Sequence, residues 1–104
     1  MSEEGRTMID TTTLLQRNPR VESRSMGEGE GGVLLHLDTA AYHGLNEVGV
    51  LIWSLLEEQK PVDVLLQELR EQLQDVPPGF EDEIRQFLSD LAERDLILTA
   101  PADA

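Results

Sequence analysis

The sequence predicts an α+β domain in which a small antiparallel sheet is followed by three helices. Two patterns predict it. Apolar side chains alternate along residues 33–38 and 41–45, as they do in strands. In three later segments, which begin near residues 46, 61 and 80, apolar residues recur every three or four positions, as on one face of a helix. Strands that come first and helices that follow predict a small sheet packed against a helical layer.

The predicted sheet has three strands. In chain order the segments are an exposed edge strand at residues 20–26, a glycine-rich loop at 27–32, a central strand at 33–38, a turn at 38–40 and a last strand at 41–45. The first strand has only two large apolar side chains, so we expect it to be mostly exposed. The last strand ends the sheet, and its open edge can pair with another extended chain.

The first helix is predicted to begin after Asn46. An asparagine side chain at this position can accept a hydrogen bond from the free N–H groups of the first turn, and Glu47 then lies at the positive end of the helix dipole. Trp53 lies off the apolar stripe, so the helix is apolar over most of its circumference and should have neighbours on two sides. The stripe consists of Val48, Leu51, Ile52, Leu55 and Leu56.

Prolines separate the other two helices. Pro61 can open the second helix, because the first turn contains N–H groups that need no helical partner. The Pro-Pro-Gly run at residues 77–79 breaks the chain before the third helix. The predicted buried residues of the second helix are Val62, Leu65, Leu66, Leu69 and Leu73, and those of the third are Phe80, Ile84, Phe87, Leu88 and Leu91.

We expect one domain, over residues 20–99. Residues 1–19 show no sustained period, which predicts a flexible N-terminal segment, and residues 100–104 are expected to fray. Residues 96–99 should fold back on the core. The layout is that of a winged helix-turn-helix with its strands placed first.

The net charge argues against nucleic acid and membrane surfaces as partners. There are 21 acidic and 8 basic residues, a net charge of −13, and residues 33–104 alone carry 15 acidic and 4 basic residues. Nucleic acid and anionic lipid are bound mainly through Lys and Arg. The third helix would read DNA in a winged-helix regulator, but residues 81–95 contain six acids against Arg85 and Arg94. With no signal peptide and no long apolar run, we expect a cytoplasmic protein.

No catalytic, cofactor or metal site is predicted. His36 and His43 lie on adjacent strands with Asp38 nearby, but structural zinc normally needs four ligands and catalytic zinc three, and the chain has no cysteine. The carboxylates fall on polar helix faces. No nucleophile elbow, phosphate-binding loop or dinucleotide fingerprint is present.

Several short motifs resemble, in their order and spacing, a known family. They are Leu34-Leu35, Tyr42, Leu45-Asn46, Gly49, Ile52-Trp53, Leu55-Leu56, Ile84, Phe87-Leu88, Leu91 and Leu96. Over residues 20–98 the chain resembles the PqqD-like family, the peptide-recognition elements of pathways that modify ribosomally made peptides. It looks most like the separate leader-binding proteins of lasso-peptide biosynthesis, with PqqD itself as the near alternative.

Three residues depart from the family pattern. His36 stands where the family commonly has Asp, Ala40 where a glycine often lies in the hairpin turn, and Asp95 where a glycine closes the third helix. Because alanine resists the positive φ that glycine accepts, Ala40 raises a question about the turn. Asp95 tolerates the left-handed conformation better than most residues.

The resemblance implies a non-catalytic protein that binds the leader segment of a precursor peptide. The leader would add a strand along residues 41–45 and place apolar side chains in a groove beside the third helix. The implied peptide-binding residues are Ala41, Tyr42, His43, Gly44 and Leu45 on the edge, and Ile84, Arg85, Phe87, Leu88 and Leu91 on the helix. Of these, Ile84 and Leu91 are expected to lie mainly in the core. Arg85 would contact an acidic leader residue.

The implied partners are a maturation protease and a cyclase, to which the bound precursor would be presented. Three alternatives stay open. The chain could be a PqqD-type chaperone for another modified-peptide pathway, a winged-helix DNA-binding regulator, which its charge disfavours, or a small structural subunit without a peptide partner.

Overall fold

The computed structural model describes residues 9–27, 29–73 and 75–101. Its elements, in chain order, are β1 (Leu14–Arg17), β2 (Val21–Ser25), β3 (Gly32–His36), β4 (Tyr42–Leu45), α1 (Glu47–Leu55), β5 (Lys60–Pro61), α2 (Val62–Gln72), α3 (Phe80–Glu93) and β6 (Ile97–Ala100). The predicted α+β class is confirmed, with the predicted sheet before the three helices.

The predicted sheet consists of β2, β3 and β4, in that order, and both pairs are antiparallel. Leu34 and His36 of β3 are buried in the core, whereas Leu35 is paired with the exposed Tyr42 on the outer face. The turn that joins β3 to β4 places Ala40 at φ 62°. This left-handed conformation costs an L-amino acid roughly 1–2 kcal/mol, so the turn is strained.

A second antiparallel sheet, with strand order β5-β1-β6, is absent from the prediction. The sequence predicts a flexible segment over residues 1–19, but Leu14–Arg17 pairs along its whole length with β6, and Leu15 is fully buried. The structure differs because a strand of four residues is too short to show a pattern, and its partner lies at the other end of the chain. The predicted domain limits stay a prediction; residues 1–8 and 102–104 lie outside the described residues.

The first helix begins as predicted but turns a different face to the core. Asn46 Oδ1 accepts a hydrogen bond from the Gly49 N–H at 2.8 Å. Ile52, Trp53 and Leu56 are buried. The members of the predicted stripe that are only half-buried are Val48, Leu51 and Leu55.

Arg17 of β1 fixes Trp53 in this inward position. The Arg17 guanidinium lies over the indole ring, 5.1 Å from its centroid, and donates to the Trp53 carbonyl oxygen from Nε at 3.0 Å and from Nη2 at 2.7 Å. It therefore combines a cation–π contact with hydrogen bonds to a carbonyl near the end of α1, which also accepts from the Leu56 N–H at 3.2 Å. A strand that the sequence did not reveal thus completes the packing of the first helix.

The other two helices bury most of the residues that their apolar spacing predicts, whereas Leu73 and Phe87 are only half-buried. The buried residues are Val62, Leu65, Leu66 and Leu69 in α2, and Phe80, Ile84, Leu88 and Leu91 in α3. Within the described part of the chain, no helix combines the length and the apolar character needed to span a bilayer.

A polar cluster of Asn18, His36 and Asp95 ties both sheets to the end of α3. The Asn18 side chain donates to the Asp95 carbonyl oxygen at 2.7 Å. His36 Nδ1 accepts from the Asp38 N–H at 3.2 Å, so in the neutral ring Nε2 carries the proton and donates to Asp95 Oδ2 at 3.0 Å. Asp95 itself has φ 63°, and the Leu96 N–H bonds back to the helix at the Leu91 carbonyl.

Replacing Ala40 with glycine should stabilise the protein. Glycine adopts the left-handed conformation without the steric cost that alanine meets at φ 62°, and this gain exceeds the extra entropy that glycine loses on folding. We expect Ala40→Gly to raise the free energy of unfolding by about 1 kcal/mol. Urea unfolding with an unchanged m-value would measure it, and a lower midpoint than that of the wild type would contradict it.

Asp95→Gly should act in the opposite direction, although Asp95 has a nearly identical φ. Glycine relieves the backbone but removes the acceptor of the His36 Nε2–H, and we expect a net loss of about 1 kcal/mol. Asp95→Asn keeps a side-chain oxygen there and should lose less. Equal stabilisation by Asp95→Gly and Ala40→Gly in urea unfolding would show that the His36 contact contributes nothing.

Candidate functional site

Among the described residues, strand β4 forms an open edge of the first sheet. It pairs with β3 on one side, and its register joins Leu34 to His43 and Leu35 to Tyr42. The His36 N–H donates to the Ala41 carbonyl oxygen at 3.0 Å. Because bonded and non-bonded pairs alternate in an antiparallel ladder, Ala41, His43 and Leu45 direct their backbone groups to β3.

It follows that Tyr42 and Gly44 direct their N–H and C=O groups away from β3, toward the open side. Tyr42 is 73% exposed, and among the described residues, apart from the two neighbours of Gly44 in the chain, no heavy atom lies within 4 Å of the position that a Cβ on Gly44 would take. Two residues of β4 therefore present the backbone donors and acceptors that strand addition requires.

Strand β4 lies beside α3, and the buried Gly49 of α1 lies between them; the surface along β4 and α3 is called the groove here. A Cβ on Gly49 would come within 3.1 Å of Leu45 Cδ2 and 3.2 Å of Phe87 Cζ. Leu45 and Phe87 therefore both lie close to this glycine, and the Cβ of a larger residue would crowd them. Phe87 is half-buried, so part of its ring remains available on the groove side.

His43 precedes Leu45 by two residues in β4 and lies within electrostatic reach of the end of α3. It is half-buried, and its burial lowers its pKa below the ordinary value for histidine. The positive charge of Arg94 lowers the pKa further, and the carboxylate of Asp90 partly offsets this. Asp90 and Arg94 therefore lie close enough to His43 to act on its charge. The groove is defined here by His43, Leu45, Phe87, Asp90 and Arg94.

The structure divides the predicted helix residues between the groove and the core. Phe87 borders the groove, whereas Ile84, Leu88 and Leu91 are at most 5% exposed. Ile84 and Leu91 are expected in the core; Leu88 joins them, because it lies at the centre of the buried face of α3. Of the predicted edge residues, Ala41, Tyr42 and Gly44 are exposed, His43 is half-buried and Leu45 is buried. Their part in peptide binding stays a prediction.

Arg85 lies on the side of α3 that faces α2. Glu81 is four residues earlier and therefore shares this side, and it forms an ion pair with Arg70 of α2. Arg85 Nε is buried without a hydrogen-bond partner among the described residues. The contact of Arg85 with an acidic leader stays a prediction.

Asp90 and Arg94 are absent from the predicted site. Helical spacing could have indicated both, because they follow Phe87 by three and seven residues and share its face. The sequence does not tell which side of α3 lies beside the strand.

His36, one of the two histidines considered for a metal site, has a structural role instead. Both ring nitrogens of His36 are hydrogen-bonded, and the ring is 2% exposed. Within residues 9–27, 29–73 and 75–101, no three histidine or acidic side chains lie together in a way that could hold a metal ion.

The fold and the site define a class of protein, a small α+β domain whose open strand edge runs beside a helix. The sequence profile of the family described as "Coenzyme PQQ synthesis protein D (PqqD)" matches residues 31–97, which is more than half of the chain. The chain belongs to the PqqD family, and the resemblance seen in its sequence motifs is confirmed. No curated protein matches the chain.

Among solved structures, the chain is similar to the one described as "TbiB1 in Complex with the TbiA(beta) Leader Peptide". The two sequences are 35% identical, and the match covers 79% of this chain and 93% of that chain, with a TM-score of 0.66. The predicted fold class is therefore supported by a solved relative as well as by the elements described above.

The lowered pKa of His43 should make stability depend on pH. The unfolded chain takes up a proton on His43 near its ordinary pKa of about 6.5, whereas the folded chain does so only at lower pH. The free energy of unfolding therefore falls as the pH drops from about 6.5 through the folded pKa. Part of that fall should disappear in His43→Gln, as measured by urea unfolding at pH 7.5 and at lower pH.

An NMR titration of the His43 ring provides the direct check. Comparison with a short unfolded peptide of the same sequence removes the contribution of neighbouring residues in the chain. A pKa in the protein equal to or above that of the peptide would contradict the placement of His43 beside Arg94.

Proposed function

We propose that this protein binds the leader region of a ribosomally synthesised precursor peptide by strand addition to β4, without catalysing a reaction itself. The observation that carries the proposal is the open β4 edge, with Tyr42 and Gly44 directed outward beside the groove. Membership of the PqqD family and similarity to a structure that contains a leader peptide support it.

Strand addition divides the side chains of the leader between two faces. If the leader pairs antiparallel to β4, residues opposite Tyr42 and Gly44 are bonded to the backbone of β4 and point to the outer face. Residues opposite His43 and Leu45 point toward the groove. Backbone bonds then provide affinity for any extended peptide, and the groove provides selectivity.

The groove selects for apolar side chains near Phe87 and for a charged or polar side chain near His43. Asp90 and Arg94 provide one charge of each sign at that end. Arg94 is exposed, and it takes part in none of the ion pairs found among the described residues. It is our candidate for contact with a leader carboxylate.

We further propose that the bound precursor is presented to a maturation protease and a cyclase of lasso-peptide biosynthesis in the cytoplasm. Holding the leader raises the effective concentration of the precursor near these enzymes, which accelerates processing without any active site in this chain. The family description favours one alternative, a PqqD-type peptide chaperone for another modified-peptide pathway. A DNA-binding role is disfavoured by the acidic third helix.

The test is a titration with fluorescent leader peptides from the precursor genes beside the gene for this protein, comparing Gly44→Pro with Gly44→Ala. Proline removes an outward N–H and leaves the ladder with β3 intact, as an edge strand tolerates. Alanine keeps the N–H and has room for its Cβ. We expect Gly44→Pro to weaken binding at least about tenfold and Gly44→Ala to bind like the wild type.

His43→Pro is not a suitable blocking variant, because the His43 N–H points to β3 and its loss would disturb the sheet. Saturable binding that Gly44→Pro leaves unchanged would exclude strand addition at β4. If no leader peptide binds the wild-type protein, leader recognition itself is excluded for these precursors.

A further inference from the structure

The outer face of the first sheet, opposite to the groove, carries accessible apolar side chains. Tyr42 is 73% and Met26 58% exposed, and Val33 and Leu35 are half-buried. These four side chains provide the apolar lining of a cavity of about 390 Å³ on this face. We propose that the outer face is a second contact surface for the leader, on which an aromatic side chain of the added strand lies over Gly44. This rests on the proposed function, because the strand added to β4 carries the aromatic residue.

The register of the sheet places Gly44 between Val33 and the open edge. Val33 is directly opposite Gly44, and Leu35 is directly opposite Tyr42, so these side chains share the outer face. On β2, Arg24 is opposite Val33. The row that starts at Arg24 therefore ends, at the open edge, on a residue without a side chain. As described above, the space over Gly44 is open, and Val33 can be reached across it from the edge.

A strand added to β4 places one of its residues directly opposite Gly44. Because Gly44 directs its N–H and C=O outward, this residue forms the bonded pair with it in antiparallel pairing, and its side chain lies on the outer face. Neighbouring strands are about 4.8 Å apart, so Val33 lies two strand spacings from this leader residue. A short side chain does not cross that distance, whereas a large one that leans over the glycine contacts Val33.

Two interactions make an aromatic ring the suitable occupant. A glycine in a strand has no side chain to pack against its neighbours, and an aromatic residue on the paired strand compensates by covering it. Tyr42 lies two residues before Gly44 on the same face, at a diagonal distance that aromatic side chains reach. Since the Tyr42 ring is largely exposed, it can form an offset-stacked or edge-to-face contact with a second ring.

The outer-face residue is distinct from the leader residues that enter the groove. Leader residues opposite His43 and Leu45 point toward the groove, and the residue between them, opposite Gly44, points to the other face. The aromatic residue is therefore separated from every groove-facing residue of the added strand by an odd number of positions. A leader is then selected on both faces of the strand that it adds.

The test uses a leader peptide that binds in the titration above. Each of its aromatic residues is replaced with alanine in turn, and the peptides are titrated into the wild type, Tyr42→Thr and Gly44→Val. Threonine and valine favour strands and keep the outward N–H groups, so pairing with the leader is retained. Tyr42→Thr removes the ring, and Gly44→Val fills the space over residue 44. Leu98→Thr removes an exposed apolar side chain from the second sheet and is the control.

We expect one alanine replacement in the leader to weaken binding to the wild type about fivefold, as for the loss of an aromatic pair. Tyr42→Thr and Gly44→Val should weaken binding of the unmodified leader by a similar factor, and the same replacement should then have little further effect. Leu98→Thr should bind like the wild type. Urea unfolding of each variant confirms that it is folded.

An NMR measurement gives a direct check on the contact. Tyr42 is the only tyrosine of the chain, so protein labelled on tyrosine reports on this ring alone. We expect nuclear Overhauser contacts between the Tyr42 ring and the aromatic ring of the bound leader. Their absence in a complex that forms by strand addition would contradict the proposal.

The outer-face proposal and strand addition fail in different ways. If Gly44→Pro removes binding, but every aromatic replacement has the same effect in Tyr42→Thr and Gly44→Val as in the wild type, no ring lies on the outer face and strand addition stands. A leader that binds by strand addition without any aromatic residue leads to the same conclusion. If Gly44→Pro binds normally, or if no leader peptide binds the wild type, strand addition fails and the outer-face proposal falls with it.

Discussion

The groove depends on the hydrogen bonds by which Asp95 joins Asn18 and His36. Asp95 lies just after α3. Its backbone carbonyl oxygen accepts a hydrogen bond from the Asn18 side chain, and its carboxylate is hydrogen-bonded to His36. Asn18 lies between the two sheets in sequence, and His36 ends the strand that pairs with β4. These contacts therefore set the position of the end of α3 relative to the sheet, and with it the position of Asp90 and Arg94 relative to β4.

Two departures from the PqqD-like pattern are joined in this cluster. His36 replaces a common aspartate and Asp95 replaces a common glycine, and in the structure the two side chains are bonded to each other at 3.0 Å. The positive φ of Asp95 is retained. The third departure, Ala40, also adopts a left-handed conformation, but no side-chain hydrogen bond of its own offsets the steric cost. The cost of the left-handed conformation is thus offset by a hydrogen bond at Asp95 and remains as strain at Ala40.

The proposed mode of binding follows from the alternation of backbone groups along β4. Only residues whose N–H and C=O point away from β3 can receive a new strand, and register decides that these are Tyr42 and Gly44. The neighbouring side chains then decide which leader can bind. Phe87 lies near Leu45, and Asp90 and Arg94 act on the charge of His43, so different parts of the groove offer apolar and charged contacts.

The sequence by itself determined the hairpin, the three helices and the open edge of the last predicted strand, because each is encoded by local periodicity, by a cap such as Asn46 or by a break such as Pro77-Pro78-Gly79. The tertiary structure decided the second sheet, the inward position of Trp53 and the side of α3 that borders the groove. These depend on contacts between residues far apart in the chain, such as the pairing of Leu14–Arg17 with Ile97–Ala100, which no local pattern records. Tertiary packing likewise fixes which side of α3 faces β4, and it brings Arg94 within electrostatic reach of His43.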